Sequence, residues 1–433
     1  MKIAVWHNLP SGGGKRALYD QVRGLVARGH EVEAWCPPTA DQGYLPLSDV
    51  VREHIVPLAL ELPKQSPSFL QKLHPLHWSA RARLEAMNRH SIECARQIHA
   101  KGFDLLFAGC CFIFHTPQIA RFMQIPSVVY LQEPNRPVYE ATPELPWVAM
   151  SWSKKDLFDL NFWYRALARR LRLSRIRVEA REERISALAF DRILVNSFFS
   201  RESVLRAFGI DSTVCYLGVD NTRFVNQHKM RESFAVCVAA FLPTKNIDFL
   251  VQSLAAVPAA RRPKLVVISN MIDETYLQQT RRLASNKGVD LEIKQRIADA
   301  QLIDVLNRAR MMLYAPRLEP FGFAPLEANS CGLPVIAVAE GGVRETVQDG
   351  INGLLVEHDP QSMALAVERL LEDEGLHQRL SHGAYKVAQT QWSLSHSIDV
   401  LEARLKAELR KLSTDVPPCE NHESPLPAES AQV

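Results

Sequence analysis

Short apolar runs alternate with longer amphipathic stretches along most of this chain. In the first half, Lys2–His7, Glu31–Cys36, Asp104–Ala108, Ser127–Leu131 and Arg192–Asn196 read as buried strands, and Lys15–Arg28 as a helix that ends at Gly29. In the second half, Ala235–Ala240, Lys264–Ser269, Leu291–Ile293 and Met311–Tyr314 read as strands. Asn246–Ala255, Glu274–Lys287 and Gln301–Arg308 read as the helices between them. Strands alternating with helices predict parallel sheets joined by right-handed crossovers. The pattern runs twice without an internal sequence repeat, which predicts two α/β domains over residues 1–210 and 211–392. A final helix, Leu394–Leu412, lacks a following strand. The tail Ser413–Val433 is rich in Pro, Ser and Glu and is predicted to be disordered. Pro57–Trp78 is proline-rich and irregular and reads as a loop between helices.

A length of 433 residues suits two domains, and 47% apolar content supplies a core for each. The net charge of +3 does not demand a nucleic-acid partner. The opening MKIAVWHN reads as a strand rather than a signal peptide, and no apolar run reaches membrane-spanning length. The longest, Phe103–Phe114, reads as a buried strand with its loop. These features point to a cytoplasmic protein. Eight cysteines are scattered without a C-x-x-C pair, so no metal site is predicted and the thiols read as buried and reduced.

The densest chemistry lies between Arg317 and Val356. Pro325 suits the first position of a helix, and Pro325–Cys331 then makes about two turns before Gly332-Leu333-Pro334 stops it. Glu327 falls in the first turn of that helix, and Glu319 precedes it beyond Pro320 and Gly322. The N–H groups of Gly322, Phe323 and Ala324 make a natural anion site, with a carboxylate on each side for sugar hydroxyls. A glycosidase fits poorly, since it needs two opposed carboxylates across the scissile bond.

The set Glu319, Phe321, Gly322, Glu327, Cys331, Gly332, Pro334, Val335, Gly341, Gly342, Glu345, Asp349, Gly350 and Gly353 resembles the donor-site signature of the family 4 retaining glycosyltransferases. The resemblance extends weakly from Lys2 to about Leu409. It implies a GT-B fold, with two Rossmann-like doubly wound domains facing a cleft. The C-terminal helix, residues 393–412, would cross back to the first domain at Trp392. It implies retaining transfer of a hexose, with mannose and glucose the usual donors, from a nucleoside diphosphate sugar to a hydroxyl of a saccharide or lipid-linked acceptor. The usual setting is surface polysaccharide or glycolipid synthesis. No D-x-D triplet occurs, which fits a scheme with no metal and no cofactor.

The same resemblance assigns roles. Glu319 would bind the hexose and brace the developing oxocarbenium ion, Glu327 would bind the ribose, and Lys245 and the helix N-terminus would stabilise the leaving diphosphate. Gly12-Gly13-Gly14 joins the first strand to the first helix, and Gly13 would approach the diphosphate from across the cleft, where a glycine leaves room. Gly12, Gly14 and Ala17 also satisfy a dinucleotide pattern, but the second strand ends in Trp35-Cys36-Pro37-Pro38, without the carboxylate that would hold a ribose.

Two positions depart from the family pattern. The second domain's first strand ends in Ala239-Ala240, where the family has Gly-Arg; Lys245 remains. Arg296, Arg317 and Arg16 are the candidates to replace the missing arginine, with Arg296 placed among the donor-binding residues. On the acceptor side Gln132 takes the place of the family's His. It can donate a hydrogen bond but cannot take a proton. Glu133 and Arg136 follow it, with Glu133 able to orient the acceptor or join Arg136 in a local salt bridge. Both departures favour a rival reading, a non-catalytic GT-B protein that binds nucleotide-sugar or a partner enzyme. Intact Glu319, Glu327 and Lys245 oppose it. Asn196-Ser197 and Gly218-Val219-Asp220 read as hinge and cleft-lining elements. Finally, residues 151–190 carry ten Lys or Arg against five Asp or Glu, interleaved with Leu, Ile and Ala. This reads as a solvated helix face or as a contact with anionic lipid.

Overall fold

A computed structural model of the chain describes residues 1–60, 80–140, 145, 147–149, 151–153, 156 and 158–414. The first domain holds seven parallel strands: β1 (Lys2–Asn8), β2 (Glu31–Cys36), β3 (Arg52–Ile55), β4 (Leu105–Cys111), β5 (Ser127–Tyr130), β6 (Arg192–Val195) and β7 (Thr213–Val214), in the order β3-β2-β1-β4-β5-β6-β7. The second holds six: β8 (Glu232–Val238), β9 (Lys264–Ser269), β10 (Leu291–Gln295), β11 (Ala309–Tyr314), β12 (Val335–Val338) and β13 (Gly353–Val356), in the order β10-β9-β8-β11-β12-β13. Both sheets are doubly wound. The central strands are covered on both faces, so Ile3, Ala4, Val5 and Trp6 are all fully buried, which is why they read as unbroken apolar runs.

In each sheet the strand order reverses once, between β1 and β4 and between β8 and β11. Ligands of open α/β sheets bind beyond the carboxyl ends of strands at such a reversal. Gly12–Gly14 follows β1, Lys245 lies in the turn Pro243–Lys245 after β8, and Glu319 follows β11. The topology therefore sets each of the three at the ligand-binding edge of its own sheet.

The C-terminal helix, Leu394–Thr414, returns to the first domain. Arg28 pairs with Asp399, His30 with Glu402 at 2.7 Å and Arg192 with Glu408 at 2.7 Å. The crossing is fixed where Val219 N–H donates to the Trp392 carbonyl and Leu394 N–H to the Val219 carbonyl. The Trp392 ring packs edge-on against Tyr216 and Phe321. Gly218 lies so close to the Ser393 backbone that a side chain there would overlap it.

Several boundaries differ from the sequence reading. The first helix is Gly13–Ala27, so Gly13 and Gly14 form its first turn instead of a loop, with Gly12 outside it at φ 147°. Strand β7 keeps Thr213–Val214 in the first sheet, beyond the boundary expected at 210. The helix expected from Pro325 spans Phe323–Ser330, with Gly322 outside it in the left-handed region at φ 92°. The polar edge strand β3 and the helices Ala80–Ala100 and Phe198–Phe208 are elements that the sequence reading does not contain. Most of Pro57–Trp78, and residues 415–433 of the expected disordered tail, lie outside the described residues, and the last helix continues through Thr414. Seven cysteines are free and buried among the described residues.

Candidate active site

Glu319 is presented by a strained turn. Leu318 sits at φ 49°, a conformation that costs a branched residue energy and persists only where its surroundings enforce it. Its N–H donates to Glu340, which also accepts from Arg317. The Glu319 carbonyl accepts from Gly342 N–H at 2.7 Å. A side chain on Gly341 would overlap the Glu319 backbone, and one on Gly342 would overlap the Pro320 carbonyl. The paired glycines thus let two backbones touch and fix where the Glu319 carboxylate points. That carboxylate accepts from Lys245 Nζ at 2.6 Å, both side chains being partly open to solvent.

Glu327 occupies the fifth position of its helix, not the first turn, because the helix starts two residues earlier than the sequence reading placed it. It is 4% exposed. Burial raises its pKa, and the guanidinium of Arg16 opposes that shift from across the cleft. Arg16 bonds Glu327 and also donates to the Tyr44 hydroxyl at 3.0 Å.

The three arginines considered as replacements for the missing one make the following contacts. Arg16 is on Glu327, Arg317 is on Glu340, and Arg296 is exposed at the end of β10 with Nε 3.5 Å from the Asn270 carbonyl. None of the described contacts of Arg296 reaches Glu319, Lys245 or Glu327.

On the opposing wall, Gln132 lies against the first helix, with Nε2 3.5 Å from the Gly14 carbonyl. A side chain on Gly14 would press on that carboxamide, whereas the space over Gly13 is open. Arg136 bonds Glu140 at 2.6 Å, stands 3.7 Å from Glu133, and reaches the second domain through the Arg317 carbonyl at 2.9 Å. Burial raises the pKa of Glu133, Arg136 opposes the rise, and the nearby Glu319 adds to it. Glu133 Oε2 has no hydrogen-bond partner. That oxygen is the one that faces Arg136, and the carboxylate as a whole lies in the field of Glu319 and Lys245.

Other members of the signature build architecture. Glu345 accepts from the N–H groups of Phe198 and Phe199 at 2.9 and 3.0 Å and from the Tyr216 hydroxyl, capping a first-domain helix from the second domain. Ser197 donates to the Pro320 carbonyl at 2.5 Å. Asp349 and Gly350 shape the turn into β13. Glu340 and Tyr44 carry no sign in the sequence, since nothing local distinguishes them from surface residues.

One group among the described residues has metal-ligand character. His7, Cys36 and Glu53 place their ligand atoms within 4.8 Å of one another. Glu53 accepts from His7 at 2.9 Å and from Cys36 at 3.4 Å, beside the buried ammonium of Lys15. No helix among the described residues is long and apolar enough to cross a membrane.

Comparison with known proteins gives the same outline. The family described as "Glycosyltransferase Family 4" matches residues 11–223, and "Glycosyl transferases group 1" matches residues 218–387. A D-inositol 3-phosphate glycosyltransferase of Salinispora tropica is 30% identical over 248 residues, covering 48% of this chain and 49% of that protein. The human α-1,3/1,6-mannosyltransferase ALG2 is 28% identical over 254 residues, covering 52% of this chain and 61% of that protein. The chain spans about half the length of the curated relatives it matches. Among solved structures, Anabaena Alr3699/HepE in complex with UDP aligns with a TM-score of 0.67 at 17% identity, covering 94% of this chain and all of that one. Sucrose-phosphate synthase from Thermosynechococcus elongatus aligns with a TM-score of 0.69 at 18% identity, over 95% of this chain and all of that one. These likenesses establish the two-domain fold.

Proposed function

The chain belongs to the family 4 glycosyltransferases, and from that membership we infer that it transfers a hexose, mannose or glucose, from a nucleoside diphosphate sugar to a hydroxyl of a saccharide or lipid-linked acceptor. The reaction we propose retains anomeric configuration and needs no metal. Glu319 holds the hexose and braces positive charge at its anomeric carbon. Lys245 takes the charge of the departing diphosphate, together with the N–H groups of Phe323 and Ala324. Glu327 holds the ribose once Arg16 yields it. Gln132 and Glu133 meet the acceptor from the first domain.

The observation that supports this reading best is the Lys245–Glu319 pair at 2.6 Å, set at the strand-order reversal of the second sheet. A cation for the leaving group and an anion for the oxocarbenium ion stand side by side, as electrostatic stabilisation of separating charge requires. A lipid-linked acceptor would bring the enzyme to the inner face of the plasma membrane for surface polysaccharide or glycolipid synthesis.

Calorimetric titration with UDP, GDP and ADP and their glucose and mannose forms tests it. Binding of one nucleotide series, abolished in Glu327→Ala, is the expected result, followed by donor turnover with an α-linked product from an α-linked donor. Binding without turnover on any acceptor would favour the non-catalytic reading that Ala240 and Gln132 suggest. Absence of binding to all of them would overturn the donor assignment.

A further inference from the structure

The helix Leu160–Leu188 is divided in two. Its second half packs into the first domain, where Ile176, Glu179, Glu182, Glu183 and Ser186 are buried. Its first half projects into solvent as an arm. Leu160 is 85% exposed, Leu167 59% and Leu171 63%, and Phe158, just ahead of the helix, is 91% exposed. Leu160, Tyr164, Leu167 and Leu171 recur at helical spacing and so form one apolar stripe along the arm. Exposed aliphatic side chains scattered singly are ordinary, but an ordered stripe marks an interaction surface.

The charge on the arm is one-sided. Six arginines, Arg165, Arg169, Arg170, Arg172, Arg175 and Arg177, lie between residues 160 and 178 without an acidic residue among them. Arg175 is committed to Glu179, and Arg165 donates to the Asn161 carbonyl at 3.3 Å with the Asp159 carboxylate 3.8 Å away. Arg169 bonds the Val148 carbonyl and so ties a neighbouring segment to the arm. That segment exposes two more aromatic side chains, Trp147 and Trp152. Arg165 and Arg169 also line a cavity of about 330 Å³ with Ser151, Asp156 and Phe162.

We propose that this arm docks the protein on an anionic membrane surface. Phe158, Leu160, Leu167 and Leu171 would enter the boundary between headgroups and acyl chains, the tryptophans would sit at headgroup level, and the arginines would meet lipid phosphates. An apolar stripe beside unopposed cationic charge is the combination that holds a helix in the plane of a membrane interface. The charge decides between membrane and a second copy of the chain as occupant: two arms packed stripe to stripe would set six arginines against six with no acidic partner on either arm. The proposal does not depend on the reaction assigned to the cleft.

Vesicle flotation of the full-length protein tests it. The protein is expected to float with phosphatidylcholine vesicles containing about one-third phosphatidylglycerol, and not with phosphatidylcholine alone. Raising the salt is expected to weaken partitioning by about tenfold or more. The double substitution Leu167→Glu and Leu171→Glu is expected to abolish flotation while leaving the melting temperature and nucleotide binding unchanged. Flotation that survives this substitution would overturn the proposal. So would failure of the wild-type protein to bind anionic vesicles, or sedimentation as a dimer that the substitution converts to a monomer.

Discussion

Lys245 and Glu319 carry the charge of the proposed transition state, and their environment sets what their loss should do. Both are partly open to solvent, so truncating either leaves no deeply buried unpaired charge. Lys245→Ala and Glu319→Gln are each expected to lower donor turnover roughly 10²-fold or more while the melting temperature stays close to wild type. Single-turnover measurement of donor consumption beside a thermal melt checks both halves of that statement. Glu183 behaves differently. It is fully buried, and it accepts from Asn135 at 2.9 Å and from His115 N–H at 3.3 Å. Burial raises its pKa from 4.5 to about 7, while His115, driven to about 4 by the same cause, stays neutral above that. The folded state then holds the Glu183 proton more tightly than the unfolded state does. Its contribution to stability is therefore greatest below about pH 4.5 and is lost as pH rises to about 7. Glu183→Gln keeps an acceptor oxygen without the ionisation. The variant should gain in melting temperature relative to wild type between about pH 5 and about pH 8, which paired melts across that range will measure.

Among the elements, the loop Glu340–Gly342 has the most exacting task. Glu340 holds the strained Leu318 by its N–H, and Gly342 holds the carbonyl of Glu319. Gly342→Ala pushes a methyl group into the Pro320 carbonyl, so the loop must move, and Glu319 moves with it. Turnover should fall by about 10²-fold through misplacement alone, with nucleotide binding reduced far less, since shifts of about an ångström suffice for such losses. Equal loss of both would place the glycine's role in the fold instead. This loop also marks how far the sequence could be read. Its spacing signalled a site, and β1, β2 and β9 were legible to within a residue because strands buried on both faces are written as apolar runs. The edge strand β3, Arg-Glu-His-Ile, lies where one side is open and has no such run. The helix at Phe323 begins before its proline, directly after Gly322 in the left-handed region. Arg16 and Glu327 stand 311 positions apart, so neither carries a local sign of the other. The missing family arginine suggests a substitute on the diphosphate, and in the structure Arg16 meets Glu327 and Arg317 meets Glu340.

Across the whole molecule, the two domains are held together by polar contacts at the cleft rim, and Glu345 is the most concentrated of them. One carboxylate receives two N–H groups at the start of the helix Phe198–Phe208 and the Tyr216 hydroxyl. Bonds to a charged acceptor contribute about 1.5–3 kcal/mol each, and the helix N-terminus adds to them. Ser197 to Pro320 and Arg136 to Arg317 are lesser contacts of the same kind. The Trp392 crossing does not open with the cleft, because the last helix is anchored on the first domain through Arg28, His30 and Arg192. Glu345→Ala therefore removes a clasp and leaves the hinge. The closed arrangement loses free energy relative to an open one, and each 1.4 kcal/mol lost shifts that balance about tenfold. Small-angle scattering should report a larger radius of gyration for the variant than for wild type without nucleotide. Saturating donor should bring the two together, because a ligand held by both domains favours the closed form. Turnover at saturation should recover more than turnover at low donor concentration, since closure is then supplied by binding. A variant whose scattering matches wild type under both conditions would assign Glu345 to helix capping alone, with closure resting on the apolar contacts around Tyr216, Phe321 and Trp392.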